Sequence, residues 1–155
     1  EITTRLVGSE MCIRDRTVSF EISSEAPRFC DVWPSDITFS LNGVILGTWT
    51  SPGDYGNRRG KYNPSWWFSF LNQYGLLKKL TITPEGTFLD AKKLSDVSTR
   101  QLALTDQSVM KLRFSVLPGA EHPGGCTLFG AGFGDYNQHI RITIGYHPKT
   151  SDFSA

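Results

Sequence analysis

Period-two alternation of apolar and polar residues runs through most of the chain, and helical periodicity is nearly absent. Val18, Phe20 and Ile22 share one face of residues 17–22, and Ile37, Phe39 and Leu41 share one face of residues 36–41. Asn42-Gly43 then opens the apolar run 44–49. Both residues of a type I′ turn need positive φ, so Asn-Gly between alternating runs predicts a β-hairpin. Residues 76–83 and 88–94 flank Pro84-Glu85-Gly86-Thr87 and predict a second hairpin. Met110, Leu112, Phe114 and Val116 mark another strand, and Ile140, Ile142, Ile144 and Tyr146 mark the last. Helix is limited to a turn or two, at 63–70, where Pro64 suits a first helical position, and at 95–102. The pattern predicts an all-β fold of seven or eight short strands: an antiparallel β-sandwich, jelly-roll-like in form.

The first hairpin allows a prediction about faces. With a regular two-residue turn, Leu41 pairs with Val44, Phe39 with Leu46 and Ile37 with Thr48 on the core side. Ser40 then pairs with Ile45, Thr38 with Gly47 and Asp36 with Trp49 on the other. That places an indole beside a carboxylate on a mostly polar face, with Gly47 leaving space next to it. Such a surface stacks a sugar ring or a base. The competing reading is that a loop covers Trp49, as large aromatics are mostly buried.

Residues 1–16 are set apart. They lack the apolar stretch and small-residue cleavage site of a secretory signal, and VGSEMCIRDR (residues 7–16) matches a translated sequencing-adapter fragment. The expected organisation is therefore a non-native segment 1–16, a sandwich domain 17–148, and a polar tail 149–155. The 155 residues suffice for one domain with its own core. Sixteen Lys and Arg against fifteen Asp and Glu exclude both a strongly basic nucleic-acid arm and an acidic tail. No apolar run approaches the ~20 residues of a membrane-spanning helix. Outside the set-apart segment the cysteines are Cys30 and Cys126. They form either a disulfide or two thiols, and reduced buried thiols are the commoner state in a domain of this size.

Two segments between the strands are unusual. Residues 49–67 mix turn formers with Asp54, Arg58, Arg59 and Lys61, and they carry Tyr55, Tyr62, Trp66 and Trp67. Long irregular loops are functional or disordered, and this aromatic content argues against disorder. Arg58 or Arg59 can hold a carboxylate or phosphate bidentately, and Trp66 or Trp67 can form a stacking wall. Alternatively the two indoles plug one end of the sandwich while Asp54 caps a turn and pairs with an arginine. Residues 121–138 are rich in glycine. Gly130, Gly132 and Gly134 lack the Lys-Ser/Thr of a P-loop, so they are read as permitting tight packing against the Trp-rich loop.

Catalytic and metal signatures are missing. There is no nucleophile elbow, no H-E-x-x-H and no C-x-x-C pair, and His122, His139 and His147 are scattered. Asp36, Asp54 and Asp135 are the carboxylates from which a glycosidase pair could be drawn, although carboxylates in turns are usually caps. The expectation is no enzyme activity, no cofactor and no metal.

Several motifs carry a family resemblance. They are Ser24-Glu25-Ala26-Pro27, Trp33-Pro34-Ser35-Asp36-Ile37, Leu41-Asn42-Gly43, the run 46–54 (LGTWTSPGD), Arg59-Gly60-Lys61-Tyr62, Trp66-Trp67, the run 72–77 (NQYGLL), Ser95-Asp96-Val97, and the stretch 124–138. Through them residues 17–146 resemble the C-terminal domain of a group of bacterial ArsR-like helix-turn-helix transcriptional regulators. The segment 28–32 departs from that pattern. The resemblance implies a cytoplasmic domain that dimerises or senses an effector, and that reaches DNA only through an N-terminal winged helix-turn-helix not found in this sequence. The expected ligand surface combines Trp33, Asp36 and Trp49 with Asp54, Arg58, Arg59, Trp66 and Trp67. Trp would stack the ring of a small-molecule or sugar effector while Arg and Asp fix its polar groups. The chain is expected to be a possible homodimer with no membrane partner. The alternatives are a carbohydrate-binding β-sandwich module and a purely structural, dimerising domain.

Overall fold

The computed structural model describes residues 2–5, 11–103 and 109–148. They form two antiparallel sheets built from ten strands: β1 (Ile2–Arg5), β2 (Met11–Ser23), β3 (Ser35–Leu41), β4 (Val44–Ser51), β5 (Leu76–Thr83), β6 (Gly86–Leu89), β7 (Lys92–Ser95), β8 (Val109–Ser115), β9 (Thr127–Phe129) and β10 (Arg141–Pro148). One sheet has the order β1-β8-β3-β4. The other has the order β10-β2-β5-β6-β7, with β9 pairing the C-terminal end of β2. Both sheets are open. The all-β sandwich is as the alternation predicts, while this strand order does not establish the jelly-roll form. Among the described residues no helix is long and apolar enough to cross a membrane.

The core is the inner faces of the two sheets. Val18, Phe20 and Ile22 of β2, with Leu80 and Ile82 of β5, meet Ile37, Phe39 and Leu41 of β3, with Met110 and Leu112 of β8. Phe20, Phe39 and Phe114 form a three-ring contact across the gap, with centroids 4.9 to 5.6 Å apart. Each buried ring contributes its transfer free energy, about 1.5–3 kcal/mol, and the tilted and edge-on contacts add to it. Of the segment expected to be non-native, residues 11–16 continue β2 and pair with β10, and residues 2–5 pair with β8. The polar tail 149–155 lies outside the described residues.

Two turns differ in how they show in the sequence. Asn42 and Gly43 have φ of 49° and 81°, as the Asn-Gly signal requires. The run 88–94, expected as one strand, is broken into β6 and β7 at Asp90 (φ 50°) and Ala91 (φ 67°). Alanine is costly in that left-handed region. Ala91→Gly is therefore expected to raise stability by about 0.5–1 kcal/mol, read as a higher urea midpoint at unchanged slope. A lower midpoint would show that the alanine methyl packs usefully.

The β3–β4 register corrects the predicted faces. Leu41 pairs with Val44 and Ser40 with Ile45, but a bulge follows, so Phe39 pairs with Gly47, Ile37 with Trp49 and Asp36 with Thr50. Leu46 is the extra residue, and it is fully buried. Trp49 consequently packs against the core cluster on the inner side and does not stand beside Asp36. The space expected at Gly47 is filled, because a Cβ there would lie 2.3 Å from Cγ of Leu94. The two predicted helical segments are single turns, closed by Trp67 N to Pro64 O and by Leu102 N to Ser98 O.

Strand direction sorts the connections. The β2–β3, β4–β5 and β8–β9 loops leave from one end of the sandwich and the 42–43 and 84–85 turns lie at the other, while the β9–β10 connection lies beside β2 next to Glu21, near that same loop end. Both unusual segments therefore sit at the same end.

Candidate functional site

The loop end is held together by a buried carboxylate. Glu21 of β2 is 1% exposed although it alternates with core residues and reads as an outward position. Its Oε1 accepts hydrogen bonds from Gly75 N (2.9 Å) and Asp135 N (2.8 Å), and its Oε2 accepts one from Tyr136 N (3.1 Å). Gly134 passes so close that a Cβ would fall 2.4 Å from Oε1, which explains a glycine with φ 71° there. Burial raises the Glu21 pKa, against the three N–H donors that lower it. One side chain thus ties the end of the β4–β5 connection, at Gly75, and the Gly-rich stretch to the sheet.

The two segments also bind each other, as the glycine pattern suggests. Arg58 meets Asp135 with both nitrogens of its fork, at 2.9 and 2.6 Å, and its guanidinium lies 3.9 Å over the Tyr74 ring. Tyr74 is in turn stacked on Tyr55. The Arg58 pair holds the Asp135 carboxyl below the usual carboxylate range. Tyr62 N donates to Gly134 O, and Gly134 N donates to Asn63 Oδ1. Arg59 donates to the carbonyls of Asn63 and Pro64, clamping the turn that carries Trp66 and Trp67. Within the loop, Trp67 Nε1 donates to Asn72 O, and Gln73 Nε2 donates to the carbonyls of Phe68 and Leu71. These bonds replace the regular structure the loop lacks.

A cleft of about 170 Å³ opens where the segments meet. Trp67, Phe129 and Phe133 are its aromatic walls, and Asn63, Asn72 and Thr127 bring its polar groups. Asn72 Nδ2 donates to Thr127 Oγ1 (3.3 Å), while Asn63 is saturated by Gly134 and Gln73. Asn72 Oδ1 and the Thr127 hydroxyl proton are therefore free for a ligand. Trp66 lies outside the cleft against both walls, its ring centroid 5.9 Å from Trp67 and 6.0 Å from Phe133, and it is 64% exposed. The cleft has no charged lining residue.

The predicted surface is thus divided. Trp66 and Trp67 come together with Phe133, while Arg58 braces the same loop through its pair with Asp135 and Arg59 through hydrogen bonds to the Asn63 and Pro64 carbonyls. Trp33 and Asp36 belong to a different network: Trp33 Nε1 donates to Gly124 O, and Asp36 accepts from Thr50 Oγ1 and His122 N. Asp54 is fully buried and accepts from Ala26 N rather than pairing with an arginine. Trp49 lies along a second cleft, about 490 Å³, with Lys78 Nζ 4.8 Å over its ring. Lys78 is paired to Asp90, and on the edge strand β7 Lys93 is paired to Asp96, where a lysine keeps the edge from pairing with another chain. Asp36, Asp54 and Asp135 are engaged by separate partners, and among the described residues no three His, Cys, Asp or Glu side chains gather as metal ligands. Cys30 and Cys126 are free thiols, with burial pushing that of Cys126 up to about 11.

Sequence reasoning missed Phe129, Phe133, Asn63, Asn72 and Thr127 in the cleft, and Glu21 beneath it. A signal existed for Phe133, a lone aromatic between Gly132 and Gly134 in a stretch otherwise built for tight turns. Comparison of the chain with family models, with curated proteins and with solved structures gave no match in any of the three.

Proposed function

We propose that this chain is a non-enzymatic ligand-sensing domain that binds a neutral sugar ring in the cleft between the Trp-rich loop and the Gly-rich stretch. The observation that carries this reading is the cleft's chemistry. Aromatic walls offer flat faces to the axial C–H groups of a pyranose. A free amide oxygen and a free hydroxyl proton match its hydroxyls, no charged side chain lines the cleft, and Arg58 of the same loop is paired with Asp135. A volume of about 170 Å³ is below the roughly 300–1,000 Å³ of drug-sized sites, so it takes one ring. The resemblance to the C-terminal domain of ArsR-like regulators supplies the use: a cytoplasmic effector domain whose occupancy biases the arrangement of DNA-binding heads joined to it, through differential affinity for two states. The same cleft chemistry favours a carbohydrate-binding module as the second reading.

The test is titration of the protein with neutral monosaccharides and their uronates, read by intrinsic tryptophan fluorescence and calorimetry. A neutral sugar is expected to saturate. Trp67→Ala is expected to weaken it at least roughly tenfold and Asn72→Ala about fivefold, since each removes a wall or a hydrogen bond worth about 1 kcal/mol or more. Binding of uronates alone, or a Trp67→Ala protein that binds like the wild type, would rule the cleft out.

A further inference from the structure

We propose that the ligand is an oligosaccharide whose second unit stacks on Trp66. This rests on the cleft being the first sugar subsite. The cleft accommodates one ring, yet the aromatic surface does not stop at its rim. Trp66 abuts Trp67 and Phe133 from outside, with ring planes 70° and 78° from theirs. Its centroid separations of 5.9 and 6.0 Å are of the same order as the repeat of a β-linked pyranose chain. A unit leaving the cleft therefore arrives over this indole.

Trp66 is also built as a platform. The backbone beneath it is fixed by Trp67 N donating to Pro64 O (2.9 Å) and by Arg59 on the same carbonyl. Its ring rests edge-on against two others, so less side-chain freedom is lost when a ligand lands on it than at an isolated indole. At 64% exposure it adds little to the core, and its exposed area is best used by a partner that carries its own apolar face. A glycan unit fits because its C–H face meets the indole while its hydroxyls stay in water. The guanidinium fork of Arg58 is closed by Asp135, so it offers no bidentate site to an anionic second unit.

The experiment is a chain-length series measured by calorimetry: glucose, cellobiose and cellotriose, with the corresponding xylose and mannose β-1,4 series. The proteins are the wild type, Trp66→Ala, Trp66→Phe and Trp67→Ala. In the configuration that binds, the disaccharide is expected to bind the wild type roughly tenfold tighter than the monosaccharide, the size of one aromatic contact. Trp66→Ala should erase that gain while leaving monosaccharide affinity within about twofold, and Trp66→Phe should keep most of it. Because Trp66 is an exposed ring, Trp66→Ala should melt near the wild type, which separates lost contact from lost fold. Monosaccharide binding with no gain on lengthening overturns the proposal and leaves the cleft reading intact. Equal weakening of mono- and disaccharide by Trp66→Ala overturns it too, since Trp66 would then belong to the first subsite. No binding of any sugar by the wild type removes the cleft reading itself.

Discussion

Glu21→Ala should destabilise the protein by about 3 kcal/mol and loosen the loop end before the sheets melt. The substitution strands the N–H groups of Gly75, Asp135 and Tyr136, which the carboxylate now satisfies. Each buried donor left without an acceptor costs about 1–3 kcal/mol. Relief of the desolvation that raises the Glu21 pKa offsets part of this sum. Against a typical total of roughly 5–15 kcal/mol, the loss is readily measured by urea unfolding. Glu21→Gln is the informative companion. Its carbonyl can keep the Gly75 and Asp135 bonds, both made to Oε1, but its amide would face the Tyr136 N–H, donor against donor. It should cost about 1–2 kcal/mol and shift tryptophan emission, because Trp67 packs on Phe133 within the stretch that Glu21 anchors. An alanine variant that unfolds like the wild type would mean that water replaces the carboxylate at no cost.

Asp54 should make the protein less stable as pH rises from about 4 to 6. Its side chain is fully buried. Oδ2 accepts the Ala26 N–H at 2.9 Å, and this bond and the Ser23 hydroxyl favour the charged form less than burial opposes it. Desolvation pushes its pKa up to about 6, with Glu25 and Asp31 adding to the rise. The sign follows from linkage. The folded state holds this proton more tightly than the unfolded chain, so the contribution to stability is full below the unfolded pKa of 3.8 and is lost as pH rises through the folded value. The difference of about 2 units corresponds to about 3 kcal/mol. Asp54→Asn keeps the acceptor for Ala26 and removes the buried charge. It is expected to be more stable than the wild type by up to about 3 kcal/mol at pH 7.5, with the difference shrinking toward zero at pH 4. Subtracting the two unfolding curves cancels Asp36, Asp96 and Asp135, whose lowered pKa values act in the opposite direction. Equal pH slopes for the two proteins would show that Asp54 is hydrated.

The fold was legible wherever one face of a strand is buried and the turn has a chemical signature. Val18-Phe20-Ile22 and Ile37-Phe39-Leu41 could each be assigned to one face of its strand from alternation alone, and Asn42-Gly43 fixed the hairpin of β3 with β4. What alternation cannot carry is a change of register. The bulge at Leu46 turns Trp49 inward, and no residue type announces it, because Leu46 suits either side of a pleat. The Asp90-Ala91 turn was hidden for the same kind of reason, alanine being a poor marker of positive φ. The loop end was half legible. Aromatic and glycine content identified both segments, but which residues meet is decided by long-range bonds. Glu21 to Asp135 and Asn72 to Thr127 are such bonds, and they join positions that look unremarkable in isolation. Arg58 shows the limit most plainly: its fork was recognised as a carboxylate holder, and the carboxylate it holds is the chain's own.

The position of β2 has a consequence for the order in which the molecule assembles. It borders β5 on one side and both β9 and β10 on the other, so Ser19 waits for Arg141 before its own sheet is complete. Loop closure over such separations is slow, and on a ribosome the last strand emerges after everything it must join. Until then an apolar strand carrying Val18, Phe20 and Ile22 presents an open edge. A nascent chain stalled before residue 141 would be held in its most aggregation-prone form, with the Trp-rich and Gly-rich segments tethered to a sheet still lacking its last strand.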